Sequence, residues 1–424
     1  MTDRVIPDGW ESTTTTELIR EKALLIGDGY RAKNSEFVDD GGLPFIRVGD
    51  ITNRIRTDVR DELPLSRVEH YEPKVSQTND SLITMKGTVG RVARVSSTTR
   101  RFVYSPQISF WRVRDPLRLD PRFVSYWLRS PAFAEQAIAT KSGTDMADYI
   151  NLRDQRRMSL LLPPLATQQR VATVLSAFDE LIEINQRRID LLEDLARSLY
   201  REWFVRFRFP GHEDATFVDS ARGEIPERWT VCRLDAIAAI VMGQSPRSEF
   251  YNEIGEGLPF HQGVADYGDL LPTHRKYCTL ESRTADAMDL LCSVRAPVGR
   301  LNLADERLVI GRGLAAIRRV DDNQALLLEQ LRYPLGEEDS LGSGTIFKAI
   351  NKEQLGGLPI VEPTADIARA FELKARPMLD ERVQRTLQNR QLAGTRDLLL
   401  PRLVTGRLDI AEIDLGELLP PEAA

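Results

Sequence analysis

The chain has 424 residues, 42% apolar and 28% charged, with a formal charge of −6: more than one domain of an ordinary soluble type. No apolar run approaches the roughly 18 residues of a membrane span, and the start, with Asp3, Arg4 and Asp8, lacks the apolar stretch of a signal peptide. Cys232, Cys278 and Cys292 offer neither a disulfide framework nor zinc spacing, so a cytoplasmic protein is expected.

Residues 1–165 read as a first mixed α/β domain, the most basic part of the chain, with 25 Lys/Arg against 22 Asp/Glu. Every later segment is net acidic, so nucleic acid would have to be met through local basic patches or with more positive partners. Within this domain Asn79-Asp80 leads into a strand at Ser81–Met85, a glycine-bearing turn at Lys86–Gly90 and a returning strand at Arg91–Val95. Phe123–Leu128 predicts a short helix against that sheet.

Residues 166–205 predict a long helix. Apolar residues recur at 171, 174/175, 178, 181/182, 188/189, 192, 195/196 and 199, the seven-residue rhythm of a helix packed along a narrow seam. About 36 residues make a rod roughly 54 Å long. Asn185 falls on the seam, where a polar residue fixes register at some cost in stability. Residues 206–224 form a linker containing Pro210-Gly211.

Residues 225–363 then repeat the first domain. Ile6-Pro7-Asp8-Gly9-Trp10 returns as Ile225-Pro226-Glu227-Arg228-Trp229, and Leu43-Pro44-Phe45 as Leu258-Pro259-Phe260. Val89-Gly90-Arg91 returns as Val298-Gly299-Arg300, and Ser142-Gly143-Thr144 as Ser343-Gly344-Thr345, each followed by Ile-Asn. Asp289–Val294, a turn at Arg295-Ala296-Pro297 and Val298–Leu303 copy the hairpin, and Ala325–Leu331 copies the short helix. Several matches in one order mark a duplication.

Residues 364–405 carry the second long helical pattern, through Ile367, Phe371, Leu379, Val383, Leu387, Leu392 and Leu399, before a tail at 406–424. Pro377 inside it should kink or divide the helix. Neither apolar stripe can be left in water. The two are expected to pair antiparallel; the alternative is that each packs on its own domain.

These residues resemble the specificity subunit of type I restriction–modification enzymes. The resemblance rests on Ser293–Arg300, Gly311–Arg318, Gly342–Thr345, the segment Trp203–Gly211, and the ending Arg396–Leu403 with Thr405–Leu408. It spans nearly the whole chain; the first domain departs most, with Lys86-Gly87-Thr88 where the second has Arg295-Ala296-Pro297. It implies two duplicated target-recognition domains, each reading half of a split DNA sequence, joined by two long antiparallel coiled-coil helices in a pseudo-twofold arrangement. It further implies a non-catalytic, DNA-binding subunit of a hetero-oligomer that defends against foreign DNA. Two modification subunits would bring S-adenosylmethionine for adenine methylation, and motor-nuclease subunits would bring ATP and Mg.

In the first domain the candidate DNA contacts are Lys86, Arg91, Arg94, Arg100 and Arg101, on and after one hairpin; such side chains pair with guanine edges or phosphates, or simply face solvent. Arg295, Arg300 and Arg312 hold the comparable region of the second domain. Lys141, Ser142 and Thr144, and Ser343, Thr345 and Lys348, suit a phosphate, although Gly143 and Gly344 equally suit a tight turn. Gln107 and Gln262 are candidates for adenine edges. Leu195, Leu199, Tyr200, Trp203 and Phe204 are the candidate anchors for a partner, with Trp203 and Phe204 favoured because they lie where the rod ends.

Catalytic readings find little support. His70, His212, His261 and His274 are scattered, and neither GxxxxGK[ST] nor GxSxG occurs. Asp366 with Glu372 and Lys374 superficially matches a metal-dependent nuclease set but falls along a heptad helix. A purely structural adaptor is the competing non-enzymatic reading.

Overall fold

The computed structural model describes residues 6–52, 55–139, 150–335 and 349–410. The chain divides into two compact units, Met1–Ile182 with Gln391–Ala424, and Glu183–Arg390.

The first unit is built on β1 (Leu24–Asp28), β2 (Leu43–Ile46), β3 (Ser81–Thr84), β4 (Val92–Arg94), β5 (Val103–Tyr104) and β6 (Ile108–Val113). β1, β6, β3 and β4 form an antiparallel sheet in that order, while β2 lies parallel to β5. Alternation along the strands makes this sheet the middle of three layers. Ile83 and Trp111 join a helical layer containing Phe123, Trp127 and Leu175, whereas Leu82 and Phe110 meet Ile46, Phe102 and Tyr104 around the parallel pair. The helical layer comprises α1 (Pro121–Leu128) and the start of α2 (Leu165–Tyr200). Asp120 caps α1, accepting from the amides of Arg122 and Phe123 at 2.8 and 3.0 Å, with Pro121 in the first turn where its missing N–H costs nothing.

The second unit repeats this with β7 (Ala238–Met242), β8 (Leu258–His261), β9 (Leu290–Ser293), β10 (Leu301–Leu303), β11 (Leu308–Ile310), β12 (Leu314–Arg319), α3 (Gln324–Leu335) and α4 (Ala365–Val404). Its sheet order is β7, β12, β9, β10, and β8 runs parallel to β11. Even an ion pair recurs: Arg112 holds Asp80 at 2.7 Å in the first copy, where both are buried, and the exposed Arg318 holds the buried Asp289 at 2.5 Å in the second. The duplication expected from the sequence is thus one topology built twice.

Within each unit the long helices run antiparallel. In the first, Asp179 of α2 meets Arg396 of α4 at 2.6 Å. In the second, the Asn185 amide donates to Asn389 at 2.9 Å and to Gln388 at 3.1 Å, and Glu193 meets Arg382 at 2.6 Å. Residue numbers fall on one helix as they rise on the other. Asn185 lies buried on the seam as expected, its polar group satisfied by partners from α4. The alternative of packing on each domain also holds: Val171 and Leu175 share the first core with Leu400 and Leu403, and Phe371 and Leu379 lie in the second core.

Carboxylates of α2 fasten helix to domain. Asp179 also accepts from the Tyr126 hydroxyl at 2.7 Å and Arg129 at 2.8 Å. Burial opposes its charge, yet Arg129 and its hydrogen-bond donors hold its pKa below the usual carboxylate value. Glu193 likewise takes Arg332 of α3 at 3.1 Å as well as Arg382.

Two expectations are corrected. Pro377 neither ends nor divides its helix, since α4 continues through Val404. The carbonyl it leaves without a helical donor belongs to Leu373, which is 70% exposed, so water can supply the missing bond. Trp203 and Phe204 are not surface anchors. α2 ends in a wide turn, Arg201–Val205, closed by Arg206 N–H to Arg201 O at 2.9 Å, and this rolls both aromatics inward. They pack on Phe371 with ring centroids at 5.9 and 5.1 Å, and on this account are 6% and 8% exposed. α4 closes the same way, Arg407 N–H to Arg402 O at 2.8 Å, and Gly406 follows with φ +68. A Cβ at Gly406 would lie 2.5 Å from Pro7 and 3.1 Å from Trp10, so only glycine lets the tail seat on them.

No helix among the described residues is long and apolar enough to cross a membrane. Phe371→Ala, which empties the centre of the aromatic cluster, is expected to cost about 3–5 kcal/mol. Urea unfolding followed by tryptophan fluorescence reads this as an earlier transition of the second unit; an unshifted midpoint would refute the cluster's role.

Candidate nucleic-acid interface

In each unit one rim gathers three backbone segments. In the first, Met85 N–H bonds Gln107 O at 2.8 Å, tying the β3–β4 turn to the β5–β6 turn, and Ser105 N–H bonds Ile46 O at 3.0 Å, tying that turn to the end of β2. The second unit makes the same bonds from Val294 N–H to Gly313 O at 2.9 Å and from Gly311 N–H to His261 O at 2.8 Å. The hairpin turns are pinned alike by one hydroxyl. Thr84 Oγ1 donates to Thr88 O at 2.5 Å and accepts from Arg91 N–H at 2.9 Å; Ser293 Oγ donates to Pro297 O at 2.6 Å and accepts from Arg300 N–H at 2.8 Å. This matches the two copies position by position: Lys86 with Arg295, Arg91 with Arg300, Gln107 with Gly313.

Lys86, Arg91, Arg295 and Arg300 therefore sit on equivalent exposed turns. Arg91 keeps one anchor, donating to Ile51 O at 3.0 Å. Arg312 is exposed on the second rim, between glycines whose reason is steric. A Cβ at Gly311 would lie 2.8 Å from Gln262 Oε1, and one at Gly313 would lie 2.4 Å from Gln262 O. Side chains there would push the β11–β12 turn off the end of β8.

The remaining basic candidates of the first domain lie elsewhere. Arg94 is at the far end of β4, bonded to Asn79 at 2.9 Å. Arg100 and Arg101 precede β5, at the end away from the rim, paired with Glu62 at 2.8 Å and Glu72 at 3.3 Å. The run that looks continuous in sequence is split because β4 and β5 carry the chain back across the domain. Lys141, Ser142, Thr144, Ser343, Thr345 and Lys348 lie outside the described residues. Just past them the chain returns to the rim, with Ile150 N–H on Met85 O at 3.2 Å and Ile350 N–H on Val294 O at 2.9 Å.

Sequence reasoning missed Arg47, although the Leu-Pro-Phe repeat already aligns it with Gln262. It also left the histidines scattered, whereas His261 Nε2 and His274 Nδ1 are 3.0 Å apart and His274 lies 3.1 Å from Asp305. Burial, with His274 beside it, pushes the His261 pKa down to about 4, so this ring, on the residue before Gln262, is neutral at pH 7. Glu372, of the nuclease-like set, is committed elsewhere: it accepts from the amides of Ala325 and Leu326 at 3.1 and 3.0 Å, capping α3.

Of the five partner candidates only Leu195 is exposed; Leu199 and Tyr200 are half-buried against the second core. Ile184, Leu191 and Leu195 instead present apolar groups on the surface of α2 at heptad-compatible spacing.

Comparison with known proteins agrees with this architecture. Residues 7–194 match the family model described as the type I restriction modification DNA specificity domain. The type I restriction enzyme MjaX specificity subunit of Methanocaldococcus jannaschii is 28% identical over 419 residues, covering 96% of this chain and 95% of that one. The HindI specificity subunit of Haemophilus influenzae is 22% identical, covering 59% and 69%. Among solved structures, the type I restriction–modification S subunit from M. genitalium shares the fold, with a TM-score of 0.60 at 17% identity over 95% of this chain and 99% of that one.

Ser293→Ala is expected to leave Arg300 N–H and Pro297 O without their shared partner, at about 1–3 kcal/mol. Hydrogen exchange at the Arg300 amide should quicken while β9 core amides stay protected; unchanged exchange at Arg300 would show that the hydroxyl does not pin the turn.

Proposed function

We infer that this chain is a specificity subunit of a type I restriction–modification system and supplies DNA sequence recognition to chemistry housed in other subunits. Each domain reads one half of a split double-stranded target. The observation that carries this reading is the rim built twice by the same hydrogen bonds, with basic side chains at equivalent turn positions, Lys86 and Arg295, Arg91 and Arg300. Two similar readers bearing unlike side chains suit two unlike half-sites. Positive groups on exposed turns suit phosphates, which set orientation without carrying sequence.

The helix pair sets the spacer between half-sites, and the exposed Ile184, Leu191 and Leu195 on α2 give the modification subunits an apolar surface to cover. In this reading the chain binds no cofactor. S-adenosylmethionine belongs to the modification subunits, and ATP and Mg to the motor-nuclease subunits that join them, all in the cytoplasm.

Cells expressing the chain with its modification partner should acquire adenine methylation at one interrupted motif, and neither component alone should give it. Methylation by the chain alone, or modified sites sharing no split motif, would overturn the reading. Removing one heptad from each helix, 185–191 with 383–389, shortens the pair by about 10 Å. Methylome sequencing should then show a spacer roughly three base pairs shorter; an unchanged spacer would eliminate the ruler role.

A further inference from the structure

The duplication itself sorts the exposed rim residues by task. Two domains that read different half-sites need some groups in common, for the backbone every duplex shares, and some that differ, for the bases that do not. Hydrogen bonding gives an equivalence of positions that does not depend on sequence similarity. Ser105 N–H to Ile46 O and Gly311 N–H to His261 O place Arg47 opposite Gln262, and Pro106 opposite Arg312. Tyr30 N–H to Tyr104 O and Gln244 N–H to Ile310 O, at 2.7 and 3.0 Å, place Arg31 opposite Ser245.

The turn positions keep their charge between copies, Lys86 against Arg295 and Arg91 against Arg300, whereas position 47/262 changes its chemistry. Arg47 is exposed, its guanidinium lying over the Phe37 and Phe45 rings at 5.4 and 5.2 Å and pairing with Asp61 at 2.5 Å. That pair is solvated on both sides and yields readily to a better acceptor. Gln262 is exposed at the matching end of β8. Ser245 Oγ donates to its Oε1 at 2.9 Å, and Gly311 leaves room for the amide. The serine engages the amide oxygen, and among the described residues the NH2 group and a second oxygen lone pair are left for a ligand, a donor and an acceptor side by side.

We propose that position 47/262 is a base-reading position of each domain, Arg47 presenting a donor fork suited to guanine and Gln262 a donor–acceptor pair suited to adenine, while Lys86, Arg91, Arg295 and Arg300 bind backbone phosphates. Arg312, where the first domain has Pro106, adds a second discriminating group to the second rim. The assignment rests on the DNA-reading role proposed above and goes beyond it by dividing the rim into sequence-reading and sequence-blind residues. The chemistry follows general pairing geometry: Arg to guanine O6/N7, Gln to adenine N6/N7.

The test is selection from random duplex DNA by the full chain with its modification partner, followed by sequencing. Gln262→Ala should relax one base position of one half-site by about tenfold and leave the other half-site intact. Gln262→Arg, which installs the first domain's side chain, should move preference at that position toward guanine and guards against a mere loss of folding. Arg47→Gln should act only on the opposite half-site. Arg295→Ala should lower recovery of all sequences alike and reduce the salt slope by about 1, with the motif unchanged. Failure of the wild-type complex to enrich any split motif would reject the DNA-reading role itself. A wild-type motif that survives both Gln262 variants unchanged, or that changes with Arg295→Ala, would overturn the division of labour while leaving that role standing.

Discussion

The structure depends on two apolar helix stripes that cannot be left in water and on the carboxylates that lock them to their surroundings. α2 places Asp179 and Glu193 two heptads apart, on one face of the helix. Within the first unit Asp179 takes Arg396 of α4 together with Tyr126 and Arg129 beside α1. Within the second, Glu193 takes Arg382 of α4 and Arg332 of α3. Each carboxylate therefore joins three pieces of chain distant in sequence. Losing one partner would strand a partly buried charge, so such a junction is hard to dismantle piecemeal. Asn185 serves the seam differently: its amide finds partners at Gln388 and Asn389 in the observed register, and a slip along the seam would bury it unsatisfied.

A duplicated fold separates scaffold from surface. The parts that repeat hold backbone in place: the ion pair of Asp80 with Arg112 or Asp289 with Arg318, the turn hydroxyl of Thr84 or Ser293, and the parallel pairing at the end of β2 or β8. What varies projects from that frame at the rim. The glycines of the second rim belong to the frame, since Gly311 and Gly313 let the β11–β12 turn approach Gln262 closely enough to hold it in place. A rigid mount with replaceable side chains allows sequence preference to change without refolding the domain.

The stripes, the repeat and the order of elements were legible in the amino-acid sequence because each is a local or periodic signal. Heptad spacing does not depend on what covers it, and a duplication shows itself in short matches kept in one order. The hairpins at 81–95 and 289–303 and the short helices at 121 and 324 were visible for the same reason. The candidate site was only partly legible. Lys86, Arg91, Arg295, Arg300 and Arg312 reach the rim, but Arg94, Arg100 and Arg101, close to them in sequence, do not, because reversal of the chain turns sequence proximity into opposite ends of a strand.

Tertiary structure alone decided which aromatic groups face solvent and which polar groups meet. Trp203 and Phe204 look like anchors at the end of a rod, yet one extra residue in the closing turn rotates them onto Phe371 and Trp229. Pro377 looks like a break, yet Leu373, whose carbonyl loses its helical donor to the ring, lies on the exposed side of α4, where a missing helix bond costs little. The Leu-Pro-Phe repeat aligns Arg47 with Gln262, yet only the backbone hydrogen bonds show that both stand on a rim beside the hairpin turns. Sequence determined the elements and their repetition, since propensity and periodicity are properties of neighbouring residues. Contact between distant segments determined the site, because burial and hydrogen-bond partners exist only once those segments have met.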